Sequence, residues 1–388
     1  MYGGEVVHIY IINLLIDILE FLIFLTGAYY LAIALFSLFG KNRFGAGEEY
    51  KFAVLIPAHN EEKTIEGLIK SIKNADYPQT KIDIFVIADG CTDKTAEIAD
   101  ICGAEVITRL ISTTKGDALK DGFLFLKDKE FDAVAIFDAD NIVDERFFKE
   151  MAECLSLGDI AVQGYVDSKN PNSSWVSNAY SIWYWITNRA FQAGRGRLSL
   201  GCRINGTGFC VKREALDLWD TKTTAEDCEY TAILGLNNIK VDYCERAVVY
   251  DEKPDKFLSS VMQRVRWTQG ICDVQGEYSL RLMKKLKINA LLCLWGDFLS
   301  VFCPVILILS YLFGVGRIWQ TTFGFIALIL FFIAYFLVIG LALIKDKKLN
   351  LKLISNIFGF FLYMLSWIPI GIIGLFGKRG KWIHTNHT

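Results

Sequence analysis

Gln263, Arg266 and Trp267 lie within the run Gln263-Arg264-Val265-Arg266-Trp267. On a helix, residues three and four apart are neighbours, so amide, guanidinium and indole share one face. An indole stacks on a sugar ring, an amide binds its hydroxyls, and a guanidinium fork grips a phosphate. The end of an ordinary amphipathic helix accounts for the same five residues. Upstream, Asp138 and Asp140 follow an apolar run. Side chains two apart on a strand point the same way, so both carboxylates can face one ligand. Such a pair supports a magnesium or manganese ion completed by substrate phosphates, against the plainer reading of a polar loop after a strand. Glu226 and Asp227 open a helix in Thr224-Ala225-Glu226-Asp227-Cys228-Glu229-Tyr230. The helix dipole favours acids in a first turn whatever they do. A sugar transfer, however, needs a base for the acceptor hydroxyl, and Asp227 fits that role beside Glu226.

Three further groups have two readings each. Gly206-Thr207-Gly208 stands before a strand-like run. Its glycines allow close backbone approach to a ligand and equally serve tight turns. Lys115-Gly116 opens a helix, where charge and free amides meet a phosphate, and a solvated lysine fits there too. Trp175, Tyr180, Trp183, Tyr184 and Trp185 are denser than a surface helix needs. They suit a membrane-interface helix, a stacking platform for sugars, or both.

The elements that must position these residues follow from periodicity. Short apolar runs at 52–56, 82–88, 105–108 and 133–137 read as buried strands. Amphipathic stretches at 62–74, 92–102 and 115–125 read as helices between them, with Thr92 or Asp93 as an N-cap. This alternation implies a parallel sheet covered by helices, with ligands beyond the carboxyl ends of the strands. The polar residues gather there: His59-Asn60-Glu61, Asp89, and Asp138-Ala139-Asp140.

The 388 residues are 53% hydrophobic and 22% charged, with a mean hydropathy of +0.32. That is too apolar for a soluble globule and too charged for a membrane bundle, so a soluble domain with membrane segments is expected. A net charge of −2 gives no ground for a nucleic-acid partner. The ten cysteines have neither CxxC nor zinc spacing and read as reduced thiols. His384 and His387 read as solvated tail residues.

The set Ile56-Pro57-Ala58-His59-Asn60-Glu61, Ala88-Asp89-Gly90-Cys91-Thr92-Asp93, Asp138-Ala139-Asp140, Glu226-Asp227 and Gln263-x-x-Arg266-Trp267 resembles family 2 glycosyltransferases of the membrane-bound polysaccharide synthase type. Cellulose, chitin, hyaluronan and poly-N-acetylglucosamine synthases are members, and the resemblance covers roughly residues 50–280. It implies an α/β GT-A (Rossmann-like) cytoplasmic domain plus α-helical transmembrane segments. It also implies inversion at the anomeric carbon, a nucleotide-sugar donor, usually UDP-linked, and Mg2+ or Mn2+. By position, Pro57, Glu61 and Asp89 would hold the nucleoside, and Asp138 and Asp140 the diphosphate and metal. Asp227 would be the base, Gly206 to Gly208 would line the acceptor site, and Gln263, Arg266 and Trp267 would bracket diphosphate and acceptor sugar. Two positions depart from the pattern: Ala225 replaces a Thr or Ser, and Ala88 the first of two Asp.

Residues 18–39 are long enough to span a bilayer, with Asp17 and Glu20 at its edge. Lys41 and Arg43 follow, and place what comes next in the cytoplasm. The expected division is 1–45 as a membrane or interface helix, 46–285 as the catalytic domain, and 286–388 as membrane and interface helices with a cytoplasmic tail. Stretches 290–313, 323–344 and 353–376 are each long enough to cross. Lys345, Lys347 and Lys348 mark a cytoplasmic loop, but three crossings would leave the basic tail Lys378-Arg379-Gly380-Lys381 outside. One stretch is therefore expected to lie in the interface, and the last, with Pro369 and its glycines, is expected to bend. The Trp382–Thr385 tail belongs on the cytoplasmic side in the resembling synthases. Asp297 should face protein, water or a polymer path.

The leading expectation is a processive, hexosyl- or N-acetylhexosaminyl-transferring synthase that passes its glycan through its own helices. Its compact membrane half leaves room for a second copy or an accessory subunit. The alternative is transfer of one sugar to a lipid or lipid-linked acceptor. An inactive membrane scaffold or exporter would show erosion of the acidic residues, which are intact.

Overall fold

The computed structural model describes residues 2–39, 45, 47–314, 317–348 and 356–377. Of residues 2–12, 297, 298, 300–302, 304, 305, 317 and 318 it describes the backbone alone. Lys41, Arg43, the 378–381 basic run, Trp382, His384, Thr385, His387 and the Asp297 side chain lie outside that description.

The chain begins with helix α1 (Tyr2–Leu38). A sheet domain follows: β1 (Phe52–Ala58), α2 (Ile65–Lys73), β2 (Ile82–Asp89), α3 (Thr95–Ile101), β3 (Glu105–Arg109), α4 (Lys115–Leu126), β4 (Ala133–Ile136), β5 (Ile142–Val143), α5 (Phe147–Ser156) and β6 (Ala161–Ser168). Next come α6 (Trp175–Ile186), a π-helical segment (Thr187–Ala193), α7 (Gly194–Arg197), β7 (Phe209–Lys212), α8 (Glu226–Leu236), β8 (Val241–Asp251) and α9 (Phe257–Lys284). The chain continues through α10 (Ile288–Phe313), α11 (Arg317–Gln320), α12 (Thr322–Lys345) and α13 (Ile357–Phe376).

Eight strands form one sheet in the order β3-β2-β1-β4-β7-β6-β8-β5. Strands β3, β2, β1 and β4 are parallel, and β7 joins antiparallel to β4 and β6. Successive residues of β1 feed opposite faces, as strand geometry requires. Phe52, Val54 and Ile56 pack with α2 and α5, whereas Ala53 and Leu55 pack with α4 and α8. The buried aliphatic strands thus separate two cores, and their carboxyl ends open on one side.

The four strands read from periodicity are all present, but the sequence reading stopped short of the other four. The strand expected at 133–137 ends at Ile136. Beyond it, the Asp138 N–H donates to Asn141 Oδ1 (3.2 Å) and Thr207 Oγ1 (3.1 Å), so the backbone leaves the ladder for a turn. Asp138 and Asp140 therefore sit on that turn, not on the strand. Helix α2 starts at Ile65 because the Glu62 N–H goes to Asp93 Oδ2 (3.1 Å). Helix α3 starts at Thr95, with Lys94 in the cap position. Asp93 instead closes the preceding turn, accepting from the Thr95 N–H (3.0 Å).

Residues 13–38 of α1, α12 and α13 are each long and apolar enough to cross a membrane. Helix α1 packs against α10 and α12. The ends of α1 and α12 meet the sheet domain. Lys345 Nζ donates to Ser37 O and Leu38 O (both 3.1 Å), Arg189 Nε to Asp346 Oδ1 (2.9 Å), and Lys348 Nζ to Asp167 Oδ2 (2.5 Å). Helix α13 runs unbroken through Pro369 and packs mainly on α9 and α6.

Candidate active site

A cavity of about 1140 Å³ opens beyond the carboxyl ends of β1, β2 and β4. Pro57, Glu61, Asp89, Lys115, Asp138, Asp140, Gly206, Thr207, Glu226, Asp227, Gln263, Arg266 and Trp267 all line it. Gly208 does not. With φ of +63° it takes a left-handed turn, and any side chain there would run into Val249. Its role is close packing between β7 and β8, so the sequence expectation that it lines the site fails on position.

At the β1 and β2 ends, Asn60 (φ +57°) turns the chain and accepts from the Thr92 N–H (2.8 Å). His59 Nδ1 donates to Asp89 O (2.6 Å). The Asp89 carboxylate receives Arg109 on one oxygen and Ser112 Oγ on the other (2.8 Å).

Lys115 is the hub of the centre. Thr114 caps α4, accepting from the Asp117 N–H (3.1 Å), and so fixes the Lys115 backbone. Its ammonium donates to Asp138 Oδ1 and Gly206 O (2.8 Å), with Glu226 Oε1 3.8 Å away. Burial works against that charge, but Asp138 and Glu226 outweigh it and hold the pKa above its ordinary value. Gly206 (φ +78°) is close to the same groups: even a Cβ on it would lie 3.5 Å from Asp227 Oδ2.

Glu226 and Asp227 occupy the first turn of α8. Burial pushes the Glu226 carboxyl up to about 7, with Lys115 opposing and Asp227 adding to it. Burial also raises Asp227, against the pull of Arg203. Helix α9 crosses Ala225 at Gly270, where a Cβ would sit 2.8 Å from Ala225 Cβ, so the close crossing requires the glycine.

Asp140 is buried. Its carboxyl is raised by burial, then by the charges of Asp251, Asp138 and Glu61. Asn141 Nδ2 ties it to Asp251, donating to Asp140 Oδ1 (3.1 Å) and Asp251 Oδ1 (3.0 Å). This crowding of carboxylates fits a divalent cation. Among the described residues, no group of three or more His, Cys, Asp or Glu could hold one alone. Asp138 and Asp140 would therefore need phosphate oxygens from a substrate.

On α9, Gln263 Oε1 accepts from Tyr180 Oη (2.9 Å), and Trp267 meets the Tyr180 ring edge-on at 6.1 Å. The aromatic helix α6 thus supports the Gln263–Trp267 face from beside it. Burial draws Arg266 below its ordinary value, opposed by the charges of Glu226 and Asp138.

Several cavity residues escaped the sequence reading. Lys253 is buried, pairs with Asp251 Oδ2 (2.6 Å), and lies 3.3 Å from the Tyr184 ring centroid. Arg203 is the cation nearest in effect to Asp227. Behind the wall, Gln163 and Gln192 clamp the backbone of residues 203–208. Strand β6, which carries Gln163, is buried at every residue, so no alternation singles that amide out, and nothing local marks the others.

Comparison with known proteins bears on this geometry. The family described as "Glycosyltransferase like family 2" matches residues 50–270. The probable glycosyltransferase YdaM of Bacillus subtilis (strain 168) is 27% identical over 352 residues, 84% of this chain and 82% of that one. The poly-beta-1,6-N-acetyl-D-glucosamine synthase of Staphylococcus epidermidis is 25% identical over 335 residues, covering 81% and 78%. The beta-monoglucosyldiacylglycerol synthase of Nostoc sp. is 26% identical over 235 residues, covering 56% and 48%. Among solved structures, the mannosyltransferase PcManGT from Pyrobaculum calidifontis, in complex with GDP-Man and Mn2+, superposes with a TM-score of 0.61. It covers 94% of this chain and 99% of that one at 14% identity, a likeness of fold. The fold is that of the GT-A glycosyltransferases, and the chain belongs to glycosyltransferase family 2.

Proposed function

We propose that this enzyme transfers a sugar, with inversion, from a UDP-linked donor to a growing glycan at the membrane, and does so processively. The observation that carries the reading is convergence: Asp138 and Asp140, Asp227, and the Gln263–Arg266–Trp267 face all look into one cavity. The polymer-making relative from Staphylococcus matches along most of the chain and supports elongation.

In this reading Pro57, Glu61 and Asp89 hold the nucleoside, while Lys115 and Arg266 balance the diphosphate. A bound Mg2+ or Mn2+ on Asp138 and Asp140 would supply further charge stabilisation to that leaving group. PcManGT was solved in complex with GDP-Man and Mn2+, which supports the choice of metal. Asp227 takes the proton of the acceptor hydroxyl. The acceptor oxygen bonds to the anomeric carbon as the sugar–phosphate bond breaks, and UDP leaves with the electron pair. Glu226 tunes the base through its neighbouring charge. Trp267 stacks on the acceptor sugar and Gln263 binds its hydroxyls.

Residues 46–285 form the catalytic unit, flanked by membrane segments at 1–45 and 286–388. Helices α1, α10 and α12 cross, and α13 lies in the interface. Both parts of α13 touch the sheet domain in support: Gly359 packs on Trp175 of α6 and Gly374 on Thr268 of α9. Lys348, which donates to Asp167 of that domain, supports a cytoplasmic side for it.

A second reading, transfer of a single sugar to a lipid, draws support from the apolar far end of the cavity and from the glycolipid-forming relative. One experiment separates the two. Purified protein is given a panel of UDP-sugars, with GDP-mannose included, in Mg2+ or Mn2+. UDP or GDP release is measured, and the product sized against an Asp227→Asn control. Long product from one donor, absent in the control, supports polymerisation. Nucleotide release with no polymer favours single transfer, and no turnover with any donor sinks both.

A further inference from the structure

We infer that the acceptor carries an apolar tail, and that the tail lies in the far end of the cavity, between α9, α10 and α13. The inference rests on the cavity being the transferase site; it does not depend on how many sugars are added. From Asp227 the cavity passes Trp267 and continues along Ile271 of α9, Leu294 of α10, and Trp367, Gly371 and Ile373 of α13. Three helices from different parts of the chain thus present apolar surface to one space. The amide of nearby Gln275 is spent on Leu294 O (3.4 Å).

Ile373 decides where this space leads. It lines the cavity and is also 47% exposed, on a helix apolar enough for the membrane. The cavity therefore reaches the surface that hydrocarbon covers. Gly374, one residue on, seats α13 against Thr268, while buried Gly371, one turn earlier, lines the cavity with Trp367. A sugar hydroxyl set against Ile271, Leu294 or Ile373 has no partner there, a costly arrangement, and polar groups of the same lining, Thr268, Gln269 and Asp273, stand on α9 alone of the three helices. An alkyl or isoprenyl chain has no such demand, and each buried methylene favours it roughly fourfold. The ligand class is an amphiphile whose hydroxyl or sugar head meets Asp227 and whose tail extends towards the inner leaflet.

The test uses the full chain in lipid nanodiscs, with whichever donor gives nucleotide release. Acceptors are methyl and dodecyl β-glycosides of glucose and N-acetylglucosamine, with dioctanoylglycerol as a tailed alcohol. The dodecyl acceptors should show a KM roughly tenfold or more below the methyl ones. Long tails also partition into the disc, so the deciding number is how that advantage changes in variants. Gly371→Phe fills the tail space, and Ile373→Asn, at an exposed position that tolerates change, makes it polar. Each should shrink the dodecyl-to-methyl advantage by roughly fivefold or more. Equal KM values, an advantage unchanged in both variants, or nucleotide release with no transfer to any tailed acceptor would overturn the inference. Absence of nucleotide release with every donor would instead remove the transferase reading on which it rests.

Discussion

The guanidinium of Arg264 lies 4.2 Å from the ring centroid of Tyr363, joining α9 to α13 back to back. Arg264 is fully buried and donates to Tyr363 O (3.2 Å) and Ser366 Oγ (2.8 Å). Its neighbours Gln263, Arg266 and Trp267 line the cavity. The last apolar helix therefore braces the cavity-lining helix α9 from behind. Removing a buried partner leaves acceptors unsatisfied at about 1–3 kcal/mol each. Arg264→Leu should lower the melting temperature and cut transfer, while Arg264→Lys keeps part of both. Thermal unfolding and nucleotide release measured together check this; an active, equally stable Arg264→Leu would show that α13 does not brace α9.

Asp227→Asn removes the proposed base and leaves the cavity otherwise filled. Transfer should fall by roughly 10²–10⁴, the usual share of general-base catalysis. UDP binding, followed by calorimetry, should persist. A variant that transfers at wild-type rate would move the base elsewhere, with Glu226 the first place to look.

Much of this was legible from residue types. Short apolar runs announced β1 to β4, and acids after strands announced Asp89, Asp138 and Asp140, because parallel sheets expose their carboxyl ends. What stayed hidden depends on contacts distant in sequence. Nothing near Gly270 in the sequence says that it would cross Ala225 too closely for a side chain. Hydropathy marked 353–376 as a membrane stretch, yet it carries no sign that Tyr363 would meet Tyr180 and Arg264. Gly206 and Gly208 looked alike, and only the fold sends one to the cavity and the other to Val249.

The raised carboxyls set a pH dependence. Asp227 must be ionised to accept a proton, so kcat/KM should rise with pH along an acid limb above the ordinary carboxylate range. Glu226, pushed up to about 7 from 4.5, keeps its proton in the folded chain where the unfolded chain has lost it. Its contribution to stability is full below about pH 4.5 and is lost as pH rises through about 7. Glu226→Gln should flatten the fall in melting temperature over that window. A wild-type melting temperature that climbs there at the same slope as the variant would contradict the assignment.

In the proposed site Lys115 and a metal ion would compete for Asp138. In the structure the ammonium holds that carboxylate, with Glu226 also in reach. A diphosphate would draw Lys115 away and supply metal ligands of its own. Mn2+ should therefore bind weakly alone and roughly tenfold tighter with UDP, a coupling that must be reciprocal. Titration calorimetry in both orders measures it, and Asp140→Asn should abolish the gain. Mn2+ affinity indifferent to UDP would argue against a shared site.

Two buried amides hold the wall beside Asp227, and they permit a graded test. Gln163 Nε2 donates to Thr207 O (2.9 Å), Gly164 O (3.0 Å) and Gly208 O (3.2 Å), and its Oε1 accepts from the Asn205 N–H (2.8 Å). Gln192 Nε2 donates to Arg203 O (2.6 Å) and its Oε1 accepts from the Arg203 N–H (3.1 Å). Residues 203–206 form no strand, so these bonds substitute for a ladder. Gln192→Leu strands one donor and one acceptor, at about 1–3 kcal/mol each. Gln192→Asn keeps a neutral amide on a shorter stem and can hold one of the two bonds, so its cost should be smaller. Misplacing a wall residue by about 1 Å can cost roughly 10²-fold in rate. Turnover per folded molecule should then fall in the order wild type, Gln192→Asn, Gln192→Leu, with the acid limb moving as Arg203 shifts relative to Asp227. If melting temperature falls in that order while turnover and the pH profile do not change, the clamp serves the fold and not the base.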